Sequence, residues 1–337
     1  MNDYPEKREL SVHAPKRILI TGANGFVARF LIDALRRRGC ETVGVDLAPQ
    51  PAGDVDRYYA CDLLESNAIR IIIEVERPTH IVHLAAVSSV ARSWATPVNS
   101  FLNNTNVFLN VAEAVRSLGI STRILSVGSS EEYGVVPVAE TPIPETRRLD
   151  PCSPYAVARV AQEQLSGLYA RGYGLDIVMT RSFNQIGPGQ STAFVVPSFV
   201  RQLVAARDAG LRTAHVRTGN LGIVRDFLDV RDAVAAYVEL LDCGRGGEIY
   251  NVCSGRGFRL DEVLRVAADI VGMAVETETD PAFVRPADNP VIIGDNAKIR
   301  NETGWSPQHE LRASLQDIVA AQVREDRVSR FTCRDTT

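Results

Sequence analysis

The chain has 337 residues, 45% of them hydrophobic and 23% charged, with a formal net charge of −4. This is ordinary globular composition, long enough for one large α/β unit or two lobes around a continuous core. The mild negative charge argues against nucleic acid or an anionic membrane as the main partner, and no apolar run reaches the ~18 residues of a membrane span.

The polar N-terminus lacks the apolar stretch of a signal peptide. Cys40, Cys61, Cys152, Cys243, Cys253 and Cys333 are scattered, with no C-x-x-C pair. Reduced thiols in a cytoplasmic protein are therefore expected, and neither a disulfide framework nor a metal site.

Lys16–Thr21 reads as a buried strand built on Ile18-Leu19-Ile20. A glycine-rich turn, Gly22 to Gly25, follows it. Phe26, Phe30, Leu31 and Leu35 then recur at helical spacing as far as Gly39, which suits a helix stop. Thr42–Val45 is the next strand and ends at Asp46, completing a β-turn-α-β unit of about 30 residues. Helices are predicted over Ala68–Arg77, Asn104–Leu118 and Pro154–Tyr173, with strands over His80–Ala85, Thr122–Val127 and Asp176–Arg181. Apolar strands alternating with helices predict an α/β fold, a doubly wound parallel sheet covered on both faces.

After Asn184 the pattern turns irregular at Gly187-Pro188-Gly189. Helices are predicted at Pro197–Gly210, Asp229–Cys243, Leu260–Gly272 and Glu310–Arg324, a loop at Arg217–Gly222 and a short strand at Glu248–Asn251. The expected division is a nucleotide-binding domain over 16–183, with 223–254 returning to it. A smaller, mainly C-terminal substrate lobe takes 184–222 and 255–323, and 1–15 and 324–337 are loose tails.

The first turn reads Thr21-Gly22-Ala23-Asn24-Gly25-Phe26-Val27-Ala28. Glycine lets a backbone turn tightly and approach a pyrophosphate, which then meets the helix N-terminus. Gly22, Asn24, Gly25, Phe26 and Val27 are thus candidate cofactor contacts. A glycine turn alone is a weak signal, and its place between strand and helix strengthens it. Asp46, about 20 residues on, is placed to accept from the adenosine ribose hydroxyls and to repel a 2′-phosphate. NAD(H) is therefore favoured, with NADP(H) still compatible. Asp62 and Leu63 are expected near the adenine.

Tyr155 and Arg159 are four apart at the start of a helix opened by Ser153-Pro154, so they share a face. A phenol ordinarily titrates near 10, and an adjacent cation stabilises its phenolate. Ser129, after the Thr122–Val127 strand, is placed to hydrogen-bond the same substrate oxygen. A Tyr and an Arg at this spacing are more often a surface pair. The order of glycine turn, serine after a strand, then Pro-Tyr-x-x-x-cation is what points to acid–base chemistry.

TGANGFVA (21–28), HLAA (83–86), SVGSSEEYG (126–134), SPYAVAR (153–159), RSFNQIGPGQ (181–190), VRDFLDVRD (224–232) and YNVCSG (250–255) follow one another in the chain. In this order they resemble the extended short-chain dehydrogenases/reductases, over about 16–323. GSSEEYG, FNQIGPGQ and VRDFLDVRD look most like the GDP-6-deoxy-4-keto-mannose reductases, whose relatives are the GDP-mannose 4,6-dehydratases.

The resemblance implies a Rossmann-type sheet and a nucleotide-diphosphate sugar, GDP-hexose, as substrate. It implies that Ser129 and Tyr155 hold and protonate the sugar C4 oxygen. Leu84, Ala85 and Ala86 would line the cofactor channel, and Asn104 would support the active-site backbone. Ser88, Ser130 and Asn184 would meet the sugar nucleotide, with Arg225 and Arg285 clamping its diphosphate. Family members are often homodimers through the helices of Asn104 and Tyr155.

The chain departs from the family at Arg159, where Lys is usual. Arg keeps the charge but is bulkier and forked. The implied reaction is hydride transfer from NADH to C4 of a 4-ketohexose, with Tyr155 as general acid. The alternative is a redox-neutral 4,6-dehydratase or 4-epimerase with tightly held NAD and Glu131 as base. A third reading, a non-catalytic cofactor-binding protein, is invited only by Arg159.

Overall fold

The computed structural model describes residues 15–283 and 289–332. Six strands carry the first half of the chain: β1 (Arg17–Thr21), β2 (Glu41–Asp46), β3 (Arg57–Ala60), β4 (His80–His83), β5 (Arg123–Ser129) and β6 (Asp176–Ser182). Between them run α1 (Phe26–Arg37), α2 (Ser66–Glu76), α3 (Val90–Ala95), α4 (Pro97–Phe101), α5 (Val107–Leu118) and α6 (Pro154–Tyr173). The second half adds β7 (Asn184–Ile186), α7 (Val195–Asp208), β8 (Thr213–Thr218), β9 (Val224–Asp229), α8 (Val230–Cys243), β10 (Ile249–Val252) and β11 (Gly257–Arg259). The last elements are α9 (Leu260–Val271), β12 (Ala274–Thr279), β13 (Val291–Ile292), α10 (Ala297–Thr303) and α11 (Leu311–Thr332).

The main sheet runs β10-β6-β5-β4-β1-β2-β3, and every neighbouring pair is parallel. Apart from the edge strand β3, its strands are buried on both faces, which is why they read as largely apolar runs. Leu31, Ile32 and Leu35 of α1 and Val234, Tyr237 and Leu241 of α8 cover one face. Ile69 and Ile73 of α2, Val111 and Val115 of α5, and Tyr169 of α6 cover the other. The strand order reverses between β1 and β4, and the loops at the carboxyl ends of those strands splay apart there, which opens a crevice.

A smaller layer sits beyond. β9 pairs with β7, β11 and β13, and β8 pairs with β12. Phe199 and Leu203 of α7, Leu264 and Ala267 of α9, and Leu315 and Ile318 of α11 share its core.

Four expectations change. Asn104 does not open an α-helix: Leu102–Asn106 form a wider π-helical turn between α4 and α5. Such turns re-aim side chains at functional sites, and here the turn brings the Asn104 amide to the backbone of Val87. Arg217 and Thr218 end β8 and are not loop, and the alternating burial of Ala214, Val216 and Thr218 is the strand signal. β9, inside the 223–254 segment expected back in the main sheet, belongs to the small sheet, and only α8 and β10 return. The helix predicted to stop at Arg324 continues to Thr332. Residues 1–14 and 333–337, most of the two expected tails, lie outside the described residues, as does Arg285.

Candidate active site

The nucleotide end is built by the turn after β1. Gly22 has φ +69°, and a Cβ there would stand 2.9 Å from the backbone N and Cα of Ala85. Only glycine fits this turn and this approach to the β4 loop. Gly25 caps α1 with no side-chain hydrogen bond, so side chains leave the first N–H groups of the helix free for an anion. Asp46, at the end of β2, accepts from the backbone N–H of Asn24 at 3.0 Å.

A cavity of about 210 Å³ opens between these parts, lined by Gly22, Gly25, Asp46, Asp62, Leu63 and the Leu84–Ala86 backbone among others. Free helix-terminal donors, a glycine floor and a carboxylate at one end fit a dinucleotide. A larger cavity, about 470 Å³, lies at the amino ends of the strands. Its charged side chains among the described residues already pair, Lys16 and Arg38 with Asp242 and Arg38 with Glu239.

Not every predicted contact faces the cavity. The Asn24 amide donates to Gln50 O at 3.0 Å and to Tyr58 Oη at 3.1 Å, and its Oδ1 accepts from Ala52 N at 2.7 Å. It clamps the loop after β2, and its side chain is spent there. The Phe26 ring packs edge-on against Phe30 and Val27 packs on the core, and neither residue lines the cavity. Asp62 is partly engaged by its own turn, accepting from Leu64 N at 2.9 Å. Cys61, Val87 and Asn103 also line the cavity and were not foreseen. All three adjoin predicted residues in sequence, Asn103 next to Asn104 on the π-helical turn.

The second end of the crevice lies at β5, β6 and the start of α6. Ser153 caps α6 by accepting from Ala156 N at 3.1 Å, and Pro154 occupies the first turn. Tyr155 and Arg159 are both almost fully buried. Arg159 Nε donates to the Tyr155 hydroxyl at 3.2 Å. Its Nη1 donates to Gln162 Oε1 at 2.5 Å and to Val127 O at 3.3 Å. The i, i+4 pair of the sequence is thus a buried contact and not a surface one.

Ser129 ends β5 and starts a short 3₁₀ turn over Ser130–Tyr133. Its Oγ accepts from Glu131 N at 3.2 Å, and its own N–H donates to Glu132 Oε1 at 2.7 Å. Ser130 is buried and Glu131 half-buried on that turn. Glu132 has no exposure, and burial, with the neighbouring Glu163 charge, holds its carboxyl well above the usual range. Arg181 grips Glu163 through two hydrogen bonds of 2.7 and 2.8 Å.

Asn104 holds the chain opposite: its Oδ1 accepts from Val87 N at 3.1 Å, and its Nδ2 donates to Ser100 O at 2.7 Å. Ser88 is exposed on the same segment. Asn184 on β7 pairs with Phe227 of β9, two residues from Arg225. Arg225 Nη1 donates to Val224 O at 2.9 Å and to Asn289 O at 2.7 Å. Among the described residues, no group of acidic, His or Cys side chains could hold a metal ion, and no helix is long and apolar enough to cross a membrane.

The family model for GDP-mannose 4,6 dehydratase matches residues 19–318. The chain belongs to this family. It is 34% identical to a GDP-6-deoxy-D-mannose reductase of Pseudomonas aeruginosa, covering 92% of this chain and 99% of that one. The structure of RMD from Pseudomonas aeruginosa complexed with NADPH superposes with a TM-score of 0.81 at 30% identity, covering 92% of this chain and 99% of the other. A Thermus thermophilus UDP-glucose 4-epimerase in complex with NAD gives a TM-score of 0.81 at 30% identity, covering 91% and 99%. As a family member the chain carries the extended short-chain dehydrogenase/reductase fold, and the seven-stranded parallel sheet is the Rossmann-type core expected for it.

Proposed function

We propose that the chain is a nucleotide-sugar 4-ketoreductase, acting on C4 of a GDP-4-keto-6-deoxyhexose. The observation that carries this reading is the buried Tyr155–Arg159 pair, a phenol with a cation on its hydroxyl beside a nucleotide-shaped crevice. The 34% identity to a GDP-6-deoxy-D-mannose reductase supports the GDP-sugar class.

Gly22, Gly25 and the backbone of Phe26 and Val27 would hold a nicotinamide dinucleotide, with Asp46 on its ribose and Asp62 and Leu63 by its adenine. The bound cofactor supplies the hydride. Tyr155 gives its proton to the C4 oxygen as general acid, Ser129 hydrogen-bonds the same oxygen, and Arg159 stabilises the phenolate left behind. Asn184 and Arg225, two register positions apart on adjacent strands of the small sheet, would grip the nucleotide end, so that binding orients the sugar. Asp46 favours NAD(H) over NADP(H), because a second anion there would face its carboxylate.

A second reading rests on Glu131, half-buried on the turn that Ser129 caps. There it would act as a base in a redox-neutral 4,6-dehydratase, the activity for which the family is named. We also place the protein in the cytoplasm as a homodimer. Trp94 of α3, Val98 of α4 and Leu168 of α6 are 60%, 73% and 53% exposed, an apolar face suited to a second copy.

The test is to purify the protein without added cofactor and identify the nucleotide released on denaturation. NADH or NADPH and GDP-4-keto-6-deoxy-mannose are then supplied while absorbance at ~340 nm is followed. Steady NADH oxidation from an initially empty enzyme supports the reductase. Stoichiometric retained NAD without consumption of reduced cofactor supports the dehydratase or epimerase instead. Tyr155→Phe is expected to lower turnover by about 10²–10⁴-fold while cofactor binding persists.

A further inference from the structure

Arg159 sits in a frame that reaches well beyond Tyr155. Gln162, which takes its Nη1 at 2.5 Å, donates through Nε2 to Ser126 Oγ at 2.9 Å and to Val127 O at 3.3 Å. Those two donations fix which way the amide faces, so Oε1 is the atom left for the guanidinium. Ser166 Oγ lies 2.9 Å from Ser126 Oγ and 2.8 Å from Gln162 O. Residues 155, 159, 162 and 166 follow one face of α6, and each has 5% exposure or less.

Every hydrogen-bond partner of Arg159 among the described residues is neutral. The cation is therefore held by dipoles, and their placement decides where it points. An arginine has several rotatable bonds and three nitrogens that can compete for one acceptor. Without a partner on Nη1, the guanidinium is free to turn its Nε away from the phenol. With Nη1 taken and Nε on Tyr155, Nη2 is the nitrogen left without an acceptor among the described residues, and so the one available to a bound cofactor.

We propose that Gln162 is a positioning residue that registers the Arg159 guanidinium against Tyr155 and the cofactor. It lets a forked cation stand where a single-nitrogen cation would need no such support. This inference rests on the proposed role of Tyr155 and Arg159 at the cofactor.

The test is a double-mutant cycle between Gln162→Met, which nearly conserves shape but removes both hydrogen-bonding atoms, and Arg159→Lys. NADH affinity is read by fluorescence titration, and kcat and KM with the keto sugar are measured alongside. In the protein that keeps Arg159, Gln162→Met is expected to weaken NADH binding and lower kcat by about tenfold each, with KM for the sugar within about threefold. In the Arg159→Lys background the same substitution is expected to change NADH affinity by less than about twofold.

Equal losses in both backgrounds would overturn the proposal and make Gln162 a packing residue. If Gln162→Met does not fold, Ser126→Ala serves in its place. It removes the anchor of the Gln162 amide, and its smaller loss of affinity should likewise vanish in the Arg159→Lys background. A chain that turns over no keto sugar at all would refute the reductase reading, yet the binding cycle would still report whether residues 159 and 162 are coupled.

Discussion

Acidification is expected to weaken the fold in part through one fully buried ring, His83. This residue ends β4, has no exposure, and places Nδ1 2.9 Å from Thr21 Oγ1. Its Nε2 has no partner among the described residues, and its ring meets Phe108 edge-on with centroids 5.5 Å apart. Burial first, and the Arg159 charge second, push its pKa from 6.5 down to about 3.

The unfolded chain therefore takes up a proton near pH 6.5 that the folded chain refuses. The contribution to stability is complete above the unfolded value and is lost as pH falls towards the folded one. Between pH 7.5 and 5 the loss is about 2 kcal/mol, some 1.5 pH units of differential protonation. Asp226 acts in the opposite sense. Burial raises its pKa to about 6, although Ser254, Gly255 and Gly294 all donate to its carboxylate. Its contribution is present at low pH and fades as pH rises through 6, so the total stability curve mixes these two with the other shifted groups, His80, Glu132 and Glu145 among them.

His83→Asn separates them. It keeps a hydrogen-bonding partner for Thr21, does not titrate, and leaves Asp226 untouched. Urea unfolding of both proteins at pH 7.5 and pH 5 should show the difference between them moving by about 2 kcal/mol in favour of the variant on acidification. Parallel pH dependences would refute the buried neutral imidazole and the burial argument with it.

Gly22→Ala is expected to abolish cofactor binding and lower the melting temperature, because its Cβ would meet Ala85 backbone at 2.9 Å with φ at +69°. A fluorescence titration and a thermal melt check both. Glu163→Ala should destabilise the protein by about 3 kcal/mol, the lower end for breaking a buried pair. Glu132, with Oε2 4.0 Å from Arg181 Nε, can ionise and take over part of the charge. Urea unfolding of the variant measures this. Asp46→Ala is expected to raise kcat/KM for NADPH relative to NADH by at least about tenfold. An unchanged ratio would show that another group sets the cofactor preference.

The main sheet and the nucleotide end of the site are written into the local sequence. Buried parallel strands must be apolar throughout, and a turn that approaches a phosphate must be glycine, so both leave marks that local reading finds. The Tyr155–Arg159 contact was legible for a similar reason, since helical spacing and a Ser-Pro cap set it within one element.

What depends on partners distant in the chain emerges only when the elements pack. The π-helical turn at Leu102–Asn106 is specified by where Asn104 must reach, a segment 17 residues earlier. The Asn24 side chain fits a pyrophosphate contact in isolation, yet the loop after β2 claims it. β9 carries Arg225, Asp226 and Asp229 among its six residues, and its place in the small sheet is set by its neighbours β7, β11 and β13. Gln162 looks like any polar helix residue until β5 is laid beside it, because the backbone of Val127 and the hydroxyl of Ser126 are what turn its amide towards Arg159.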